Sequence, residues 1–73
     1  MKRITLKEGL DAAYPILKEQ KAMPVLDLCR EIVEKVKADA DFSYAEFLDA
    51  AEKDLRFRVV AGQIVGINRM YQD

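Results

Sequence analysis

Two arginines stand two residues apart in the stretch LRFRVVAGQIVGI, residues 55–67. On an extended strand that spacing puts Arg56 and Arg58 on one face. Guanidinium groups so arranged can grip the phosphate oxygens of a nucleic-acid backbone, with Lys2 and Arg3 as further basic contacts. Just upstream, Glu46, Asp49 and Glu52 recur at three-residue spacing, which sets their carboxylates on one side of a helix with Lys53 beside them. That face suits a basic protein surface, because complementary potentials steer association.

Other chemistry finds little footing. The chain has no histidine for acid–base work and no serine in a nucleophile-elbow context. Gly62 and Gly66 lack the lysine and the spacing of a phosphate loop. Cys29 is the one cysteine, which excludes an internal disulfide and any Cys/His metal site. Among Leu28, Ile32 and Val33 it reads as a small buried hydrophobe. Asp39, Asp41 and Asp49 do not match an EF-hand loop, and no glycine is placed for its turn. The expectation is therefore a non-enzyme without a cofactor or a metal.

Length and composition bound the rest. Seventy-three residues allow one domain, and a chain of that size must be economical with its core. Apolar residues at 51% and charged residues at 34% are globular proportions rather than disordered ones. No apolar run approaches a membrane span, and MKRITLKEG has no apolar stretch behind it to act as a secretory signal. A cytoplasmic protein is expected. The net charge of −1 hides an asymmetry: residues 39–55 set Asp39, Asp41, Glu46, Asp49, Glu52 and Asp54 against Lys53 alone. Residues 1–21 and 56–73 are both net basic.

The positioning elements follow from local pattern. Thr5 and Glu8 form a capping box, after which Leu6, Leu10, Ala13, Tyr14 and Leu17 draw an amphipathic stripe. Pro15 interrupts the backbone ladder, so a kink near residues 11–14 or a break into two short helices is expected. Pro24 favours an extended segment over residues 22–26, and Asp27 is placed to cap a second helix over residues 28–37. Its buried face is Cys29, Ile32, Val33 and Val36, and residues 38–41 follow as a polar turn. Ser43 with Glu46 makes a second capping box, and Phe42 with Phe47 a hydrophobic staple. Tyr44, Phe47, Leu48, Ala51 and Leu55 mark the inner face of that third helix.

The hairpin register follows from its apolar residues. A three-residue loop, Ala61-Gly62-Gln63, puts Leu55, Phe57, Val59, Val65 and Ile67 on one side, whereas a two-residue loop would place Val65 and Ile67 beside the arginines. An isolated hairpin is marginal in water, so its apolar side must lie on the helices. The extended segment before the second helix can supply a third strand. The closing NRMYQD reads as a frayed tail, with docking of a second copy into a homodimer as the alternative.

The fold expected is α+β, in the element order of a winged helix-turn-helix, with the third helix in the recognition position and the hairpin as the wing. AYPILKE (Ala13, Tyr14, Ile16, Leu17, Lys18 and Glu19), Ile32 with Val36, and the closing Asp54, Arg56, Phe57, Gly62, Val65, Gly66 and Ile67 resemble the HARE-HTH winged-helix family, to which the amino-terminal domain of the bacterial RNA polymerase delta subunit belongs. Pro15, and Val65 where an aromatic is common, depart from that pattern. The resemblance implies a partner in transcription or another DNA transaction. Two readings then stand: a module docking a protein through Glu46, Asp49, Glu52 and Lys53, and a DNA-binding regulator acting through Lys2, Arg3, Arg56 and Arg58. An acidic third helix is repelled by DNA, which tilts the balance to the protein partner.

Overall fold

The computed structural model describes residues 2–71. Its elements are β1 (Arg3–Ile4), α1 (Leu6–Gln20), β2 (Ala22–Pro24), α2 (Val25–Val36), β3 (Asp39–Ala40), α3 (Tyr44–Lys53), β4 (Phe57–Val60) and β5 (Ile64–Ile67). They form a small α+β domain of three helices around one core, closed by an antiparallel sheet of order β2-β5-β4. Phe47, Leu17, Leu28, Ile32 and Val65 lie fully buried at its centre, so every helix and the sheet contribute.

Both capping boxes form. The Thr5 hydroxyl accepts from the Glu8 N–H at 3.2 Å, and the Glu8 carboxylate accepts from the Thr5 N–H at 2.9 Å. Ser43 and Glu46 repeat the exchange at 3.2 and 3.0 Å. The staple beneath the second box is a stacked pair, with the Phe42 and Phe47 ring centroids 5.7 Å apart. Gly9 permits this packing from the other side, because a Cβ there would meet the Phe42 ring at 2.7 Å.

Of the two outcomes expected at Pro15, a kink or a break, the break does not occur: α1 is one helix from Leu6 to Gln20. Pro15 and Asp11, whose carbonyl loses its helical donor, both lie on the exposed side. Water can serve that carbonyl, which lowers the penalty a buried proline would carry.

The start of α2 is a second correction. The helix begins at Val25, with Pro24 at the N-cap and no side-chain cap, and Asp27 sits inside the first turn. The Val25 N–H donates to the Gln63 carbonyl at 2.8 Å, so the hairpin loop satisfies one of the free donors at the helix start. Asp27 still favours that end electrostatically. The extended segment shortens accordingly to β2, which pairs Ala22, Met23 and Pro24 with Gly66, Val65 and Ile64.

Residues 38–41 are more than a polar turn. Asp39 and Ala40 pair in parallel with Arg3 and Ile4. Ala38 and Ile4 are buried beside this short bridge, which closes one side of the core. On α3, Phe47 and Ala51 face inward as expected, but Tyr44 is 52% exposed.

The hairpin has the expected register: Phe57, Arg58, Val59 and Val60 face Ile67, Gly66, Val65 and Ile64. Ala61 and Gly62 both take positive φ in the loop, at 56° and 67°. Phe57 and Val65 are buried and Val59 and Ile67 half-buried against the helices. Leu55 does not join them. It lies before the strand and is 75% exposed, because the Asp54 carboxylate accepts from the Arg56 N–H at 3.0 Å and its carbonyl from the Phe57 N–H at 3.1 Å. That local turn swings Leu55 outward. The closing segment is tied back: the Asn68 side chain donates to the Leu55 carbonyl at 2.7 Å, and Tyr71 meets Tyr14 edge-on at 6.0 Å. Gln72 and Asp73, the end of the expected frayed tail, lie outside the described residues.

Candidate interaction site

The turn between α3 and β4 decides what the two hairpin arginines can do. Arg56 lies outside the strand, and its guanidinium binds Asp54 through two contacts, Nε to Oδ1 at 3.1 Å and Nη2 to Oδ2 at 2.8 Å. It reaches Asp11 of α1 at 3.1 Å. Its carbon Cζ lies 5.5 Å from the Tyr14 ring centre and 5.2 Å from that of Phe57, so the cation also rests on two aromatic faces. Only 21% of the side chain is exposed. Hydrogen bonding to Asp54 pushes the Arg56 pKa further up, and the same contact holds the Asp54 carboxyl below its ordinary 3.8. Arg56 is thus a clamp joining α1 to the entry of the sheet.

Arg58 has the opposite setting. It is exposed on β4 and forms no ion pair among the described residues. The expected shared face of Arg56 and Arg58 is therefore divided. Lys2 and Arg3 belong to a different strand pair from Arg58: Lys2 precedes β1, Arg3 lies on it, and among the described residues β1 pairs with β3 while β4 pairs with β5. Arg3 makes a loose, exposed contact with Asp41 at 3.6 Å, a geometry worth little.

The α3 residues stay together on one exposed helix. Glu46 is half-engaged, one oxygen accepting from the Ser43 N–H. Asp49 pairs with Lys53 at 3.2 Å, one turn on. Glu52 is exposed and forms no ion pair among the described residues. The one base on this face is thus matched to one acid, which leaves Glu46 and Glu52 to set its sign.

Sequence reasoning missed two features. Asp54 two residues before Arg56 was a visible signal for the clamp; Asp11, in a different helix, was not. A groove of about 520 Å³ also lies between α2 and the β3–α3 connection, walled by Cys29, Val33, Ala40, Phe42 and Tyr44. Its walls come from α2 and the β3–α3 connection, and Tyr44 fits the inward apolar period of α3, so spacing along the chain does not show it. Cys29 lies in its wall, 6% exposed, and burial pushes its thiol up to about 11, so the thiol stays protonated at neutral pH. Among the described residues no cluster of three or more acidic, histidine or cysteine side chains has metal-binding geometry, and no helix is long and apolar enough to cross a membrane. Comparison with protein-family models, curated proteins and solved structures finds no match to this chain.

Proposed function

We propose that this chain is a non-enzymatic winged helix-turn-helix module, similar to the HARE-HTH family, that docks a protein partner of the transcription or DNA-transaction machinery through α3. The element order supports the architecture: helix, short strand, helix, helix, then a hairpin that pairs with the short strand. On this reading α3 holds the recognition position and β4–β5 the wing.

One observation carries the choice of partner. Arg56, half of the basic wing, is neutralised by Asp54 and Asp11, while α3 keeps Glu46, Asp49 and Glu52 exposed. Phosphate affinity grows with the number of cations that displace counterions. A wing with Arg58 alone is a poor DNA grip, and the helix beside it repels DNA. A basic protein surface meets the same helix favourably.

The test compares wild type with the Asp49→Lys/Glu52→Lys variant in a capture experiment from lysate. The expected result is a partner retained by wild type and by Arg58→Glu but lost on charge reversal of α3. A partner set that ignores the reversal overturns the docking face. Duplex DNA titrated at low salt is expected not to bind; a steep salt-dependent affinity lost in Arg58→Glu would hand the function to the wing.

A further inference from the structure

One strand of the sheet ends with part of its backbone unclaimed. Among the described residues β4 lies at the edge and pairs with β5 on one side only. The Arg56 carbonyl accepts from the Asn68 N–H at 2.9 Å, and the Val60 carbonyl from the Gln63 N–H at 3.3 Å. Even-numbered residues therefore turn their backbone groups toward β5, and by the alternation of an antiparallel ladder the odd-numbered ones turn away. The Phe57 N–H is taken by Asp54. The Phe57 carbonyl and both backbone groups of Val59 remain directed outward, the pattern an added strand can complete.

The side chains say which strand. Val60 is 49% exposed, and Arg58 beside it is exposed with no ion pair among the described residues. A charge on a short edge discourages self-pairing. Two copies joined antiparallel about Val59 would set their Arg58 side chains diagonal to each other, about 7–8 Å apart, where like charges repel. The same charge attracts a carboxylate.

We propose that the β4 edge docks an extended segment of another protein, one that sets a carboxylate opposite Arg58 and an aliphatic side chain opposite Val59. The segment adds as a fourth strand, with Val59 exchanging both backbone hydrogen bonds. This surface is separate from α3, and it stands whether or not α3 docks a partner.

The test is a titration of the ¹⁵N-labelled chain at low salt with the peptide Ac-STVEVTS-NH2 and its counterpart Ac-STVKVTS-NH2. The acidic peptide is expected to shift the β4 amide resonances and to slow exchange of the Val59 N–H. The lysine peptide should bind about three- to tenfold more weakly, the difference between an attractive and a repulsive cross-strand pair. Arg58→Glu should reverse that preference. Val59→Pro should abolish binding, since it removes the outward donor while residues 58 and 60 keep the ladder to β5. If that variant fails to fold, the Arg58→Glu reversal decides alone. No shift at millimolar peptide, shifts confined to α3, or equal binding of both peptides overturns the proposal. Shifts of β4 that grow with protein concentration alone also overturn it, by giving the edge to a second copy.

Discussion

Arg56 and Arg58 are two residues apart and chemically identical, yet they belong to different parts of the molecule's economy. Arg56 is folded into a clamp with Asp54, Asp11, Tyr14 and Phe57, whereas Arg58 stands in water on an edge strand. The contrast teaches that a basic residue's role depends on which carboxylates the fold delivers to it. Asp54 comes from the adjoining turn and Asp11 from the first helix, and together they convert one arginine from a ligand-gripping group into a structural one.

Removing the clamp should give the largest effect. Arg56→Ala strands Asp54 and Asp11 and uncovers Tyr14, and the expected loss is about 2–3 kcal/mol, read as a lowered urea midpoint. Arg56→Lys keeps the charge but cannot bridge both Asp54 oxygens, so about half that loss is expected. If Arg56→Ala melts like wild type, the clamp does not hold the fold.

A smaller effect distinguishes the pair by pH. The Asp54 carboxyl is held down in the folded chain, so its contribution is complete above its ordinary 3.8. It is lost as pH falls through the lowered folded value. Wild type should therefore lose stability in that acid window more steeply than Asp54→Asn, whose limb flattens. Equal limbs in the two proteins would remove Asp54 from the acid response. Glu8, lowered by its Thr5 contact, contributes the same sign in both proteins.

The smallest effect belongs to Arg58. Arg58→Ala should change stability by no more than about 0.5 kcal/mol, as expected for an exposed side chain with no ion pair among the described residues. A loss as large as that of Arg56→Ala would show that the two arginines share one role after all.

The starts of α1 and α3 and the hairpin register were legible because their causes are local. A capping box needs residues three apart, a staple needs residues five apart, and strand pairing about a three-residue loop is set by alternation. The candidate site was legible only by halves. Glu46, Asp49, Glu52 and Lys53 share a helix, so spacing alone assembled them. Arg56 and Arg58 share a strand period but not a strand, because the Asp54 turn delays β4 to Phe57. Leu55 and Tyr44 matched an apolar period and still lie outside, since each sits at an element end where the chain turns away from the core.

By itself, then, the sequence determined where α1 and α3 begin, how β4 meets β5, and that one helix would be acidic. The tertiary structure alone decided that α2 starts at Val25, that Arg56 closes on Asp11, and that β1 finds β3. The physical reason is reach. Caps, staples and alternation act between neighbours along the chain, while a backbone donor answered by a distant loop, or a guanidinium shared with another helix, exists only after packing has brought the two together.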